Sequence, residues 1–139
     1  MPQDKPMENR EATTQRTSRE TDIRVDLSLD GSGRAEIQTG VPFMDHMLTG
    51  FARHGTFDLD ITAQGLLDLD AHHTIEDLGI VLGQAIAKAI GDRAGIRRYG
   101  AALIPMDEVL ARVVLDLSGR PYLAYDVKPD DDRVGTLSV

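Results

Sequence analysis

A wide apolar stripe over residues 75–90 constrains the fold of this chain more than any other feature. Its apolar side chains recur at intervals of three and four residues, which is the spacing of one face of an α-helix. They are Ile75, Leu78, Leu82, Ala85, Ile86, Ala89 and Ile90. A helix with such a face has to be buried against a second layer, so the chain needs a sheet or another helix to cover it.

The ends and the interior of this helix carry further signals. Thr74 with Asp77 resembles a capping box in which Asp replaces Glu, and Gly91 predicts the end of the helix. Gly79 and Gly83 lie inside the helix, where each glycine costs about 1 kcal/mol relative to alanine. We therefore expect both glycines to allow close packing against another helix.

Alternating runs elsewhere in the chain predict β-strands. Apolar and polar residues alternate over 23–29, 35–39 and 57–63, and both faces of the run over 109–117 are largely apolar. The turn sequence Asp30-Gly31-Ser32-Gly33 separates the first two runs. We expect these two runs to form a hairpin.

The distribution of these signals predicts an α+β fold in two layers, a mixed sheet with helices. A second helix begins near Pro42 and ends near Gly55. Residues 1–18 are polar and have no apolar period, so we expect a disordered tail. The rest divides into residues 19–93, with the sheet and both helices, and residues 94–139, the strands of a second unit that begins and is not finished.

Composition excludes several classes of protein. Lys and Arg number 15 against 23 Asp and Glu, which gives a net charge of −8, so we expect no nucleic-acid partner. No apolar run reaches the roughly 18 residues of a membrane helix, and the first residues carry no secretory signal. We therefore expect a cytoplasmic protein without a membrane partner. Because the chain has no Cys, any metal has to be held by His, Asp or Glu.

Three of the four histidines lie in two short motifs. One motif contains His46 within Phe43–Leu48, and the other contains His72 and His73 shortly before Glu76. On a helix, Glu76 lies beside both histidines, whereas the two histidines point about 100° apart. This arrangement favours two ions, or one ion and one substrate group, and the donors suit Mn, Fe, Zn or Ni. In the alternative interpretation, the histidines only cap the helix N-terminus.

The remaining candidates are single charged residues. Arg98 and Arg120 lie near glycine-containing turns of an acidic protein and are candidates for binding an anion such as phosphate. Taken alone, either arginine is better explained by an ion pair with a surface carboxylate. The pattern does not distinguish Glu20 from a solvated charge, and His54 is most simply a residue at a helix end.

Eight segments between residues 19 and 139 are specific as a set. They are Arg19-Glu20-Thr21, Asp30-Gly31-Ser32-Gly33, Thr39-Gly40-Val41-Pro42-Phe43-Met44-Asp45-His46-Met47-Leu48, Arg53-His54-Gly55, His72-His73-Thr74-Ile75-Glu76-Asp77, Gly95-Ile96-Arg97-Arg98-Tyr99-Gly100, Pro105-Met106-Asp107-Glu108 and Asp116-Leu117-Ser118-Gly119-Arg120-Pro121-Tyr122. In this order, they resemble the imidazoleglycerol-phosphate dehydratase family. That family has a fold of the ribosomal protein S5 domain 2 type with two structural repeats. The resemblance therefore implies a first repeat over residues 19–93 and a partial second repeat over residues 94–139.

The resemblance implies an activity and a cofactor. Members of the family remove water from imidazole glycerol phosphate to give imidazole acetol phosphate, a step of histidine biosynthesis. The resemblance implies two Mn²⁺ ions per active site, which act as Lewis acids and bind the substrate ring. It also implies a large symmetric homo-oligomer with active sites between subunits.

The resemblance also implies roles for individual residues. His46, His72, His73 and Glu76 match metal ligands. Glu20 matches a carboxylate placed against the substrate, with an acid–base role. Arg98 and Arg120 match arginines that bind the phosphate, and Asp107 and His54 are weaker candidates for acid–base or supporting roles. The implied catalytic residues are Glu20, His46, His73 and Glu76, and the implied substrate-binding residues are Glu20, His46, His72, His73, Glu76, Arg98 and Arg120.

One departure from the family pattern bears on activity. The family carries a second His-His-x-x-Glu motif with an upstream histidine, whereas this chain has no histidine after His73. We therefore expect the 139-residue chain alone to be inactive or nearly so, and to expose an apolar patch. The alternative is a non-catalytic fragment that binds metal or phosphate. The coding DNA beyond Val139 would show whether the sequence continues.

Overall fold

A computed structural model describes residues 9–66, 71–128, 133–134 and 137–138. The chain divides into two units, of which the second is Ile90–Lys128. The first unit contains the strands β1 (Glu11–Thr17), β2 (Thr21–Ser28), β3 (Ala35–Gln38) and β4 (Asp58–Gly65) and the helices α1 (Pro42–Gly55) and α2 (His72–Ile90). The second contains β5 (Tyr99–Met106) and β6 (Val109–Asp116), while β7 (Arg133–Val134) and β8 (Leu137–Ser138) form a separate short pair.

The first unit is built on a four-stranded sheet in the order β1-β2-β4-β3. β2 is antiparallel to both neighbours, and its register with β4 runs from Thr21 opposite Gly65 to Ser28 opposite Asp58. Alternate residues of β2 are buried, as the alternating sequence predicts for a strand with one face in the core. The central position of β2 therefore fixes the residue that precedes it, Glu20, at one end of the sheet.

The predicted hairpin between residues 23–29 and 35–39 is wrong. β3 pairs in parallel with β4 and not with β2. The carboxylate of Asp58, the first residue of β4, accepts the backbone N–H groups of Ser32 and Arg34 at 2.8 and 3.0 Å. These bonds direct the turn towards the far edge of β4, because residues 31–34 are held by β4 itself rather than folded back onto β2.

The prediction of a disordered tail over residues 1–18 is also wrong where the structure describes it. Glu11–Thr17 form the edge strand β1, antiparallel to β2, while residues 1–8 lie outside the described residues. Only Ala12 enters the core. An edge strand with one buried side chain has no apolar period, so its sequence is as polar as that of a tail.

Both helices pack on the same face of this sheet. The core contains Leu48 and Ala52 of α1 and Leu78, Val81, Ala85 and Ala89 of α2, together with Ile23, Val25, Leu27, Leu59 and Ile61 of the sheet. The predicted two-layer α+β arrangement is confirmed for this unit. The expected helix contact at Gly79 and Gly83 is wrong within the described residues, since a Cβ at either position meets no atom within 4 Å.

The second unit is a single hairpin with little cover. β5 and β6 pair antiparallel from Tyr99 opposite Asp116 to Met106 opposite Val109. Every residue of both strands is exposed, including the apolar side chains of Leu103, Ile104 and Val114. The expected exposure of apolar residues is therefore confirmed, and it is concentrated in β5 and β6. The structure gives the second unit as Ile90–Lys128, so its first residue precedes the predicted boundary at 93/94.

Candidate metal-binding site

The carboxylate of Glu20 and the imidazole of His73 meet at one end of the sheet. Glu20 lies in the tight connection between β1 and β2, where Ser18 Oγ accepts the N–H groups of Glu20 and Thr21 at 3.2 and 3.0 Å. His73 lies in the first turn of α2, and its Nδ1 is 2.6 Å from Glu20 Oε2. An ionised carboxylate only accepts hydrogen bonds, so Nδ1 is the donor and Nε2 is left to face another group.

The neighbouring histidine has a different carboxylate partner. His72 Nε2 is 3.1 Å from Glu76 Oε2, a contact between residues four apart on α2. The two imidazole rings are 5.5 Å apart between centroids and inclined by 71°. As expected from their positions on a helix, adjacent histidines face different directions, and each lies against its own carboxylate.

A small cavity of about 220 Å³ lies at this place. It is lined by Arg16, Ser18, Glu20, His73, Glu76 and Asp77. The structure thus brings together Glu20, His73 and Glu76, which the sequence singled out. A larger open groove of about 640 Å³ lies elsewhere in the first unit and contains none of the predicted site residues.

Three lining residues, Arg16, Ser18 and Asp77, were not assigned to the site by the sequence analysis. Asp77 accepts hydrogen bonds from Thr21 Oγ1 at 2.6 Å and Arg16 Nε at 2.9 Å. The bond from Thr21 is the main cause that lowers the pKa of Asp77, followed by the positive charge of Arg16, with a smaller contribution from His73. Asp77 follows His73 by four residues, so helical spacing alone places it next to His73 and was the signal that could have found it.

The predicted capping box at Thr74 is wrong. α2 begins at His72, so Thr74 lies inside the first turn, and Asp77 binds Thr21 and Arg16 instead of capping the helix. Thr74 is 1% exposed, and its hydroxyl has no hydrogen-bond partner. A Cβ added to Gly65 would lie 2.1 Å from Thr74 Oγ1. Gly65 therefore leaves the space in which the first turn of α2 rests on β4.

The other predicted residues lie on different elements. His46 is exposed on α1 and does not line the cavity, and His54 is in the last turn of that helix. Arg98 in the second unit makes two bonds to Asp116, at 2.6 and 3.1 Å, and lies 4.9 Å from the centre of the Tyr99 ring. The hydrogen bond from Arg98, together with the positive charge of its guanidinium, keeps the pKa of Asp116 below the usual range.

Arg120 and Asp107 belong to turns of the second unit. The backbone N–H of Arg120 donates to Ser118 Oγ at 3.2 Å, and the residue is exposed. Asp107 has a φ of 50°, in the left-handed region, between β5 and β6. The prediction that Arg98 and Arg120 bind a phosphate stays a prediction. In this structure, the guanidinium of Arg98 is paired with the carboxylate of Asp116.

The donor chemistry of the site suits a divalent transition metal, but the number of donors is small. Imidazole nitrogen and carboxylate oxygen are the ligands that Mn²⁺ and similar ions accept. Among residues 9–66, 71–128, 133–134 and 137–138, no group of three or more His, Asp or Glu side chains is arranged to hold an ion. The described residues offer donors in pairs, Glu20 with His73 and His72 with Glu76.

The fold and the site define an α+β protein with a candidate divalent-metal site at the first turn of a helix. The sequence profile described as imidazoleglycerol-phosphate dehydratase matches residues 39–139. The chain belongs to the imidazoleglycerol-phosphate dehydratase family. None of its described helices is long and apolar enough to cross a membrane.

Individual relatives agree with this assignment. The chain is 62% identical over 130 residues to the imidazoleglycerol-phosphate dehydratase of Laribacter hongkongensis, which covers 94% of this chain and 66% of the relative. It is 57% identical over 133 residues to that of Acidithiobacillus ferrooxidans, over 96% and 67% of the two chains. The chain thus spans about two thirds of the length of these curated relatives.

Solved structures show the same similarity in three dimensions. The imidazoleglycerol-phosphate dehydratase of Staphylococcus aureus superposes with a TM-score of 0.78 at 42% identity, over 91% of this chain and 70% of the other. The enzyme of Pyrococcus furiosus, solved in complex with (S)-C348, gives 0.75 at 38% identity, over 90% and 65%. The α+β fold is therefore shared with structures of this family.

Proposed function

We propose that the site of Glu20, His72, His73 and Glu76 serves the dehydration of imidazole glycerol phosphate to imidazole acetol phosphate, a step of histidine biosynthesis. One observation carries the proposal. In a chain of this family, the cavity at the first turn of α2 brings Glu20, His73 and Glu76 together, and the relatives are named for this reaction.

The reaction needs a base and a place for the leaving hydroxyl. Loss of water removes a proton from one carbon of the substrate and a hydroxyl group from the next, and the carbon-bound proton is barely acidic. Glu20 borders the cavity with an exposed carboxylate and is the residue we assign to proton transfer. Its present bond to His73 has to be exchanged or shared when the substrate binds.

We assign His46, His72, His73 and Glu76 as ligands of Mn²⁺. A bound Mn²⁺ supplies Lewis acidity and a fixed position for the imidazole ring of the substrate. The Glu20 carboxylate contacts Nδ1 of His73 and thereby orients the His73 imidazole so that its Nε2 is the nitrogen available to an ion. We also infer a cytoplasmic homo-oligomer, in which neighbouring subunits contribute to the site, with Arg98 and Arg120 binding the phosphate.

A second candidate function is binding of metal or phosphate without catalysis. The observation that favours it is the small number of donors, since the described residues offer pairs rather than a group of three or more. A protein of this second kind needs no proton-transfer group at Glu20. The two candidates therefore differ in what a change at Glu20 does.

A chimera separates the two functions. Residues of this chain would replace the matching 130 residues of the Laribacter hongkongensis enzyme, and formation of imidazole acetol phosphate would be measured with Mn²⁺ present. We expect turnover by the chimera and at least about 100-fold slower turnover after Glu20→Gln, with Mn²⁺ binding retained. Glu36→Gln is the matched control, because Glu36 is an exposed carboxylate paired with Arg34 outside the cavity.

The results discriminate clearly. A folded chimera that binds Mn²⁺ but does not convert the substrate contradicts the proposed dehydratase function, and so does a Glu20→Gln chimera with unchanged turnover. The 139-residue chain alone is assayed in parallel. For that chain we expect Mn²⁺ binding without appreciable turnover, because it carries a single His-His-x-x-Glu motif.

A further inference from the structure

We propose that Asp77, bound to Arg16 and Thr21, is a positioning residue that holds the first turn of α2 against the β1–β2 connection and thereby keeps His73 Nδ1 on Glu20. The three side chains are called the Asp77 bracket below. The proposal rests on the proposed function only in treating His73 as a ligand. It concerns how the ring is oriented before any metal or substrate binds.

Asp77 is connected to both partners of the Glu20–His73 contact. Thr21 directly follows Glu20, and its hydroxyl donates to Asp77 Oδ2 at 2.6 Å. His73 lies one helical turn before Asp77 on the same side of α2. The bracket therefore connects Glu20, through its neighbour Thr21, to Asp77, which lies on the same helix as His73, and His73 in turn contacts Glu20.

The surroundings of the bracket make it rigid. Thr21 is 4% exposed, and the Asp77 side chain is 14% exposed although the side chain of its partner Arg16 is 45% exposed. A bond between a hydroxyl and a carboxylate shielded in this way is short and strong. Because Ser18 Oγ also fixes the N–H groups of Glu20 and Thr21, the backbone of Glu20 has little freedom to move.

Two further hydrogen bonds between α2 and β1 lie further along the helix. Thr14 Oγ1 donates to the carbonyl of Val81 at 3.1 Å, and Lys88 Nζ donates to the carbonyl of Thr13 at 3.1 Å. At the first turn, Thr74 packs on Gly65 without a hydrogen bond from its hydroxyl. Besides the Glu20–His73 contact itself, the bracket is therefore the polar connection among the described residues between the start of α2 and the strands β1 and β2 on either side of Glu20.

The orientation of the His73 ring can be read directly from its nitrogen resonances. In the 139-residue chain without metal, at a pH where the imidazoles are neutral, we expect His73 to carry its proton on Nδ1 and to show an unprotonated Nε2. Asp77→Asn or Thr21→Val removes one side of the bracket. In either variant we expect the Nε2 resonance to move towards the protonated position that a free histidine favours.

Two matched variants control for loss of structure. Asp22→Asn changes a carboxylate that also accepts a threonine hydroxyl and a second β1 side chain, from Thr17 at 2.8 Å and Gln15 at 3.1 Å. Thr21→Ser keeps the hydroxyl at the bracket. We expect neither to move the His73 signals, and we expect Mn²⁺ to bind about 10-fold more weakly to Asp77→Asn than to Asp22→Asn.

The outcomes decide the proposal. Unchanged His73 signals in folded Asp77→Asn and Thr21→Val overturn it, as does an equal change in Asp22→Asn. If both bracket variants fail to fold, Arg16→Gln decides, because Arg16 is exposed and its loss leaves the core intact; a normal His73 spectrum there overturns the proposal. The spectra need neither substrate nor turnover. A failure of the proposed dehydratase function would appear in the turnover of the chimera and would leave the His73 spectra unchanged.

Discussion

Two hairpins of this chain have strands of similar length but opposite surroundings. β1 and β2 have 7 and 8 residues, and β5 and β6 have 8 each. One face of β2 is buried under α1 and α2, whereas all residues of β5 and β6 are exposed. A two-stranded hairpin alone is marginal in water, so strand pairing without cover contributes little stability. In the first unit, β4 extends the sheet beside β2, and the two helices bury one face of the hairpin, which is the cover that β5 and β6 do not have.

Hydrogen exchange tests this difference most strongly. We expect amides of β2 to exchange about 1,000-fold more slowly than those of β6, which corresponds to a difference of about 4 kcal/mol in opening free energy. Mass spectrometry of peptides that cover Thr21–Ser28 and Val109–Asp116 measures both rates in one sample. Comparable protection of the two strands would show that β6 is covered in solution, and it would contradict the difference in burial between the two hairpins.

A pair of isoleucine truncations tests the same difference through the energy of burial. Ile61 of β4 is 0% exposed and Ile104 of β5 is 61% exposed. Ile61→Ala removes buried methyl groups, and we expect the free energy of unfolding of the first unit to fall by about 2–5 kcal/mol. Ile104→Ala should change it by less than about 0.5 kcal/mol. Urea denaturation followed by circular dichroism measures both, and similar losses would refute the assignment of the core.

A pair of glycine substitutions sharpens the comparison within the covered unit. Gly65→Ala places a Cβ in the space of the buried Thr74 hydroxyl, so we expect a loss of about 1–3 kcal/mol in unfolding free energy. Gly79→Ala adds the same methyl group where no atom lies within 4 Å, and we expect a gain of up to about 1 kcal/mol from helix propensity. Thermal unfolding ranks the two variants, and equal effects would mean that α2 does not rest on β4 as described.

The smallest effect concerns the turn that distinguishes β3 from a hairpin partner of β2. The N–H groups of Ser32 and Arg34 lower the pKa of Asp58, whose ordinary value is 3.8. Because the folded pKa is depressed, its stabilising contribution is present above pH 3.8 and is lost as the pH falls through the folded pKa. We expect Asp58→Asn to be less stable than the parent near neutral pH and this difference to shrink in acid. Denaturation midpoints from neutral to acidic pH measure it, and a constant difference would contradict the role of the Asp58 charge.

Much of the first unit could be predicted from sequence because its elements bury one face. The alternation over 23–29 and the stripe over 75–90 match β2 and α2 closely, since burial on one side imposes a period. β1 was missed because its partner strand, rather than its own side chains, makes it a strand. The pairing of β3 was missed because the sequence of the turn does not show that the N–H groups of Ser32 and Arg34 donate to the distant Asp58.

The candidate site divides in the same way. The motif at residues 72–76 predicted that His72 and His73 point in different directions, which the inclination of 71° between their rings confirms. It also predicted that Glu76 lies beside both histidines, whereas Glu76 contacts His72 and the carboxylate that contacts His73 is Glu20. The position of Glu20 against His73 depends on the register of β2 and the contact of α2 with the sheet, neither of which a local pattern contains. Asp77 was read as part of a cap because spacing within one helix says nothing about hydroxyl donors on a neighbouring strand.

The strand order β1-β2-β4-β3 also affects how the chain folds during synthesis. β2 pairs with β4 across a long separation, since Thr21 lies opposite Gly65. At about 5–20 residues per second, a ribosome needs several seconds to extend the chain from one residue to the other. During that time, β1 and β2 can pair with each other but not with β4, and the part of the apolar face of β2 that α2 covers stays accessible until α2 has emerged from the exit tunnel.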